Sequence, residues 1–288
     1  MTADDGTIAW RVLYDEARRR LAVVADTPDV DARRIVEEAS GYEGVDFALG
    51  LHELVTERGV ARFDAMMTRR LAGEPLQYVV GRWGFRRLDL AVDRRVLIPR
   101  PETEVVVGEA LAELDRIGGH KVLDLGTGSG AVALSFAVER DHVEVWAVER
   151  SPDALAVARS NLAGVGRAAT RVTMVEGSWF DALEPSHRQS FDLIVANPPY
   201  VAVADSLPAV VGDWEPADAL VPGPLGTEAL SVIIDQAPGW LRPDGVLVVE
   251  LAPTQAEWSS QMASTAGFAA AEVRCDQSGR DRMLIARR

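Results

Sequence analysis

Four consecutive residues, Asn197-Pro198-Pro199-Tyr200, end an apolar run that begins at Phe191. Two prolines fix the backbone there and remove two donors. What remains are acceptors: the carbonyls near Asn197 and Pro198 and the side-chain oxygen of Asn197. Such a set can grip both hydrogens of a planar NH2 group and aim its nitrogen, with the ring of Tyr200 covering the group. The chemistry that needs this is methylation of an amide or aromatic amine, whose delocalised lone pair must be aligned with the bond that carries the methyl group. Orientation and desolvation can supply several kcal/mol of the barrier, within the ~7–11 available to proximity. Hydrogen bonds that strengthen as positive charge develops on nitrogen add to this. No conventional general base stands in the motif, and loss of the proton after methyl transfer would need none. Asn197, Pro198, Pro199 and Tyr200 are the candidate catalytic residues; the competing reading is a rigid turn without chemistry.

A methyl donor needs a site of its own, and the chain offers one upstream. Val122-Leu123-Asp124-Leu125 runs into Gly126-Thr127-Gly128-Ser129-Gly130. Glycines tolerate positive φ and close ligand approach, and a helix beginning near Ala131 would direct free N–H groups at the ligand. The loop alone also fits the loose dinucleotide fingerprint. Asp124 tips the balance: a carboxylate two residues before the first glycine sits poorly beside a pyrophosphate. It suits a cofactor with an ammonium and a sulfonium, S-adenosyl-L-methionine. Glu149, at the end of the next strand, is placed to accept hydrogen bonds from ribose hydroxyls. Trp179, after a third strand, can flank the adenine or pack in the core.

These residues need a scaffold, and the patterning supplies it. Residues 1–74 read as a small helical domain: Ile8, Val12, Leu13, Ala17 and Leu21 keep helical spacing, as do Val60, Phe63, Met67 and Leu71. Thr27-Pro28 reads as an N-cap followed by proline at the first helical position, and Gly41 closes that helix. Residues 75–98 read as a linking β-hairpin with strands at Gln77–Val80 and Leu88–Val92. Residues 99–288 alternate short apolar runs (122–125, 143–148, 172–176, 191–196 and 246–251) with helical stretches, one of them behind the Ser151 cap. That alternation predicts a Rossmann-like α/β sheet, mostly parallel, covered on both faces. Between 271–275 and 282–286 there is too little chain for a helical crossover, so the last strand is expected to be antiparallel.

Composition narrows the function classes. The net charge of −14 repels phosphate backbones unless a basic patch is focused somewhere. With no basic recognition domain, this argues against a DNA or RNA amino-methyltransferase. The arginines at 82, 86, 87, 94, 95 and 100 form the one local excess, read as a solvated hairpin face in preference to a docking strip for an acidic partner. A single cysteine, Cys275, excludes an intrachain disulfide, and the four histidines show no metal-ligand spacing. No run is long enough to span a bilayer. The acidic start, Met1-Thr2-Ala3-Asp4-Asp5, lacks a signal-peptide pattern. The expectation is a cytoplasmic enzyme without metal, membrane or direct nucleic-acid partner.

With these motifs in hand, the chain resembles the HemK/PrmC family of protein-(glutamine-N5) methyltransferases over nearly its whole length. The resemblance rests on Pro75-Leu76-Gln77-Tyr78 through Gly81, on Val96-Leu97-Ile98-Pro99-Arg100-Pro101-Glu102-Thr103-Glu104, on the glycine loop and on Asn-Pro-Pro-Tyr. Glu215-Pro216 with Ala219-Leu220, and Asp276 with Gly279 and Arg282, extend it. It implies that Gly126 to Gly130, Glu149, Trp179 and Asn197 bind the cofactor. It further implies that Asn197 to Tyr200 hold the amide of the Gly-Gly-Gln glutamine of a peptide-chain release factor, the helical domain recognising that partner. Two stretches depart from the pattern. Val221-Pro222-Gly223-Pro224-Leu225-Gly226-Thr227 stands where the family has Gly-Gly-x-Asp-Gly, and Glu250-Leu251-Ala252 where it often has Glu-Ile-Gly. The departures leave a second substrate open, the guanidine of free arginine. For that substrate Arg100 is a candidate carboxylate clamp and Glu102 a neighbouring acid; otherwise Arg100 pairs with Glu102 or Glu104. A fourth reading, a non-catalytic scaffold with a vestigial cofactor fold, conflicts with the intact motifs.

Overall fold

The computed structural model describes residues 7–205 and 208–288, so the acidic start read above lies outside the described residues. The chain divides into two compact units, Met1–Arg82 and Trp83–Arg288.

The first unit is helical: α1 (Trp10–Leu21), α2 (Pro28–Ser40), α3 (Asp46–Gly50), α4 (Glu57–Leu71) and α5 (Leu76–Val80). Leu13, Ala17, Leu21, Ile35, Phe63 and Met67 form its core, whereas Val12, counted in the apolar stripe, is 49% exposed. Pro28 opens α2 and Gly41 closes it in the left-handed conformation, but the Thr27 side chain makes no capping hydrogen bond. The larger correction concerns Gln77–Val80, read as a strand and found as one helical turn. Gly81, at φ 81°, donates back to the Gln77 carbonyl. The guanidinium of Arg69 donates to the carbonyls of Tyr78 and Val79 at 2.8 and 3.2 Å. It is held in place by both oxygens of Glu74 at 2.6 and 2.8 Å. A cation on the terminal carbonyls of a helix satisfies groups that otherwise lack partners, which outweighs the strand preference of Tyr-Val-Val.

In the second unit β1 (Arg82–Phe85) and β2 (Leu88–Ala91) form a two-stranded sheet, followed by α6 (Pro101–Arg116). The remaining elements are β3 (Lys121–Leu125), α7 (Ala131–Glu139), β4 (Glu144–Glu149), α8 (Pro152–Gly164), β5 (Val172–Glu176), β6 (Phe191–Ala196), α9 (Ala209–Gly212), α10 (Glu228–Gln236), β7 (Leu241–Glu250), α11 (Ala256–Thr265), β8 (Ala270–Cys275) and β9 (Asp281–Arg287). Seven strands make one sheet in the order β5-β4-β3-β6-β7-β9-β8. The first five are parallel, and β9 runs antiparallel to both its neighbours. Every residue of β6 is buried, as a strand covered on both faces requires. From β3 the chain winds outward through β4 and β5 and then returns to add β6 on the other side. The crevice at the carboxyl ends of β3, β4 and β6 is therefore a topological switch point, the place where open α/β sheets bind ligands.

The arginine-rich stretch is solvated at Arg87, Arg94 and Arg95 and tied down at Arg86. Arg86 donates to both oxygens of Glu139 at 2.6 and 2.8 Å and to the Glu104 carbonyl at 2.8 Å, fastening the hairpin to α6 and α7. Arg95 pairs with Asp93, Arg100 with Glu215, Arg82 with Glu38 and Glu43, and Arg94 lies over the Trp214 ring at 4.6 Å. Acids pair with four of the six arginines, Arg82, Arg86, Arg95 and Arg100.

Candidate active site

A cavity of about 620 Å³ opens at the switch point. Its wall includes Gly126 to Ser129, Glu149, Ser151, Ser178, Trp179, Asn197, Pro199, Arg100 and Thr103. The structure thus brings most of the sequence-selected residues together. Gly130, Asp124, Pro198, Tyr200 and Glu102 stand off that wall.

Asp124 is buried beneath the loop instead of facing the cavity. Its Oδ2 accepts from the Thr127 hydroxyl at 2.6 Å and from the Ala133 amide at 3.1 Å. Desolvation raises its carboxyl to about 7. Gly130 begins α7 at φ 87°, and a Cβ there would come within 3.1 Å of Leu134, so it serves packing. Several amides of the loop itself bond internally. The amides of Gly126 and Thr127 donate to the Val148 carbonyl at 2.9 and 3.0 Å, and Gly130 donates to the Thr127 carbonyl at 2.8 Å. Gly128 donates to Glu149 Oε2 at 2.8 Å. An anion-binding loop keeps such donors open. Here Gly126, Thr127, Gly128 and Gly130 spend theirs on carbonyls and on Glu149, and Ala133 spends its own on Asp124, while Ala131 and Val132 at the helix start line the cavity wall.

Glu149 is fixed by two backbone amides, Gly128 on Oε2 and Ser151 on Oε1 at 2.9 Å. A carboxylate has about four acceptor sites, so acceptor capacity remains at the cavity wall for paired hydroxyls. Trp179 adopts φ 44°, unusual for a non-glycine residue. Its ring packs 3.3 Å from where a Cβ on Gly126 would lie. Asn161, which sequence reasoning passed over, ties the hairpin to the loop. It accepts from the Ala91 amide at 2.7 Å and donates to the Ala91 carbonyl at 3.0 Å and the Ser129 carbonyl at 2.8 Å.

At the other end Asn197 leaves β6. Its side-chain Nδ2 donates to Thr103 Oγ1 at 3.0 Å, and the Thr103 hydroxyl donates to Glu250 Oε2 at 2.7 Å. Thr103 and Glu250 are both buried. Neither was selected as a site residue, although a carboxylate closing an apolar strand, as Glu149 does for β4, was a readable signal for Glu250. Tyr200 sits beside the cavity among Glu250, Arg282, Arg100 and Glu102, and desolvation pushes its hydroxyl up to about 12. Gln255, also missed, donates from Nε2 to the carbonyls of Tyr200 and Gly226, each at 3.0 Å. It thereby joins the acceptor turn to the divergent 221–227 stretch, of which Val221 and Pro222 reach the cavity wall. Arg100 pairs with Glu215 and not with Glu102 or Glu104. Glu215 also accepts from the Ile98 amide at 3.1 Å, while Glu102 faces Arg280 at 3.8 Å.

Among the described residues no cluster of His, Cys, Asp and Glu could hold a metal ion, and no helix is long and apolar enough to cross a membrane.

The sheet order and the site together define a methyltransferase of the S-adenosylmethionine-dependent Rossmann-like class. The chain matches the family model of the methyltransferase small domain over residues 108–213 and that of the PrmC N-terminal domain over residues 13–81. A methyltransferase structure from Pyrococcus furiosus superposes with a TM-score of 0.50 at 18% identity, covering 76% of this chain and 96% of that one. The release factor glutamine methyltransferase of Moorella thermoacetica is 39% identical over 96% of this chain and 98% of its own. That of Xylella fastidiosa strain 9a5c is 41% identical over 78% and 80%. The chain belongs to the release factor glutamine methyltransferase family.

Proposed function

We propose that the chain methylates N5 of the glutamine side chain in the Gly-Gly-Gln loop of a peptide-chain release factor, working in the cytoplasm. One observation carries this reading. The NH2 of Asn197 is committed to Thr103, which leaves its carbonyl oxygen as an acceptor at the cavity wall. An acceptor fixed there selects an incoming NH2 group. S-adenosyl-L-methionine, when bound, supplies an electrophilic methyl group. Gly126 to Ser129, Glu149 and Trp179 would hold it, with Asp124 shaping the loop from below. The acceptors around Asn197 and Pro198 would then orient the glutamine nitrogen and exclude its solvating water. Their hydrogen bonds tighten as the nitrogen becomes positive.

The relatives' names favour a protein glutamine as acceptor. Arg100, the candidate carboxylate clamp of the free-arginine reading, already shares its charge with Glu215. We assign recognition of the release factor to the helical first unit. Offering intact release factor, free glutamine and free arginine with isotope-labelled methyl donor, then locating the label by mass spectrometry, tests this. Label on the Gly-Gly-Gln glutamine alone is expected; label on free arginine with an unmodified release factor overturns it.

A further inference from the structure

Thr103 and Glu250 have no role in the binding or chemistry described so far, yet they stand directly behind the acceptor asparagine. We propose that they are positioning residues that set which end of the Asn197 amide faces the substrate, an inference that rests on the reading of Asn197 as the acceptor of the target NH2 group.

The placement of the protons decides the direction of the relay. A threonine hydroxyl carries one hydrogen and two lone pairs. With Glu250 ionised, its carboxylate can only accept, so the Thr103 hydrogen is given to Glu250 Oε2, at 2.7 Å. Thr103 Oγ1 then has only lone pairs to offer Asn197, at 3.0 Å. Asn197 must answer with its NH2, and its carbonyl oxygen is turned the other way. If Glu250 is protonated, the chain can run in reverse. The carboxyl donates to Thr103, Thr103 donates to the Asn197 carbonyl, and the asparagine presents its own NH2 toward an incoming NH2. Two donor groups facing each other cannot bond, so the reversed chain does not hold the glutamine amide.

Burial makes the relay stiff, since Thr103 is 4% exposed and Glu250 1%. The charged and titratable groups facing Glu250 are Arg100 and Glu102 from the start of α6, Tyr200 from the turn after β6, and Arg282 from β9. Arg282 is itself paired with Asp276. Burial outweighs the two cations and lifts the Glu250 carboxyl to about 7. Turnover is therefore expected to fall as pH drops through that region, because the protonated acid permits the reversed chain.

The test compares Thr103→Val, Thr103→Ser, Glu250→Gln and Asn197→Ala in the full chain, measuring kcat, cofactor affinity by calorimetry and the pH profile. Thr103→Val keeps the shape and deletes the relay. Its kcat should drop roughly ten- to hundredfold, the scale of a hydrogen bond to a charged group, with cofactor affinity unchanged. Thr103→Ser should restore most of that loss. Glu250→Gln, which can both donate and accept, should lower kcat and lose the inflection near neutral pH. If Thr103→Val does not fold, the Glu250→Gln profile decides alone. Wild-type kcat in Thr103→Val, or an unmoved inflection in Glu250→Gln, overturns the proposal while leaving the acceptor reading intact, provided that Asn197→Ala is inactive. An active Asn197→Ala instead removes the reading on which the proposal stands.

Discussion

At the cofactor end of the cavity the contacts that shape the glycine turn are short in sequence. Asp124 reaches Thr127 and Ala133, three and nine positions away, and Glu149 reaches Gly128, 21 positions away. At the acceptor end Asn197 leans on Thr103 across 94 positions, and Thr103 on Glu250 across 147. The first end is a backbone turn whose glycine amides bond within it and to the neighbouring strand. The second is a row of side chains drawn from three elements, whose polarity depends on the last member. A binding surface can be made by a β–loop–α unit and the ends of its neighbouring strands. Orientation of a poor nucleophile takes a support that only the assembled fold provides.

The largest expected effect breaks the first end. At Gly128 a Cβ would meet no protein atom within 4 Å, but the residue lies on the cavity wall at φ 56°. Gly128→Val fills ligand space and strains a β-branched residue. Calorimetry should detect no S-adenosylmethionine or S-adenosylhomocysteine binding while circular dichroism keeps its shape. Unchanged affinity would remove the loop from the site. NAD should not bind the wild type either, and tight NAD binding would reverse the cofactor assignment.

Asn197→Ala breaks the second end and should separate the two. Turnover with release factor is expected to fall by roughly 10²-fold or more, the scale of a lost transition-state contact. Cofactor affinity should fall much less. A proportional loss of both would mean that the ends are not independent.

Glu149→Gln sharpens the comparison with a smaller step. Both carboxylate oxygens already accept a backbone amide, and the amide side chain can replace only one of them. Cofactor affinity should fall by roughly tenfold, with kcat at saturation nearly unchanged. A loss confined to kcat would assign Glu149 to the acceptor end.

The smallest effect is one of stability. Burial raises the Asp124 carboxyl from 3.8 to about 7 in the folded chain. The folded form thus holds that proton more tightly than the unfolded chain does. Its contribution to stability is complete below about 3.8 and is lost as pH rises through about 7. Asp124→Asn carries no charge at any pH, so its Tm relative to wild type should climb between pH 4 and pH 8, by roughly 2–4 °C for each kcal/mol. A constant difference across that range would show that the Asp124 environment does not penalise the charge.

The same contrast explains what could be read beforehand. The sheet, its antiparallel last strand and the glycine turn follow from local patterns. Apolar runs of strand length alternate with helices, a carboxylate precedes the first glycine, and an acid ends the next strand. Asp124 read as facing the cofactor, but its bonds to Thr127 and Ala133 turn it beneath the loop, and such partners decide whether a carboxylate faces in or out. Gln77–Val80 misled because the cation that favours its helical turn, Arg69, lies on the preceding helix. Thr103 stood in the sequence only as one residue of the 96–104 stretch, since its meaning comes from Asn197 and Glu250, which no sequence window of ordinary length contains.

Gln255 has a consequence for how this enzyme can diversify. One amide nitrogen holds the carbonyls of Tyr200 and Gly226 together, and a Cβ on Gly226 would sit 2.7 Å from the Tyr200 oxygen. A mutagenic library at Val221 and Pro222, which line the cavity, can therefore explore new acceptors, whereas Gly223 is confined by Glu228 and bridged to Ala202. Position 226 and the loop length are shared property of two loops, and changes there travel into the catalytic turn. New specificity is most accessible upstream of that glycine, in the stretch where the sequence already departs from the family pattern.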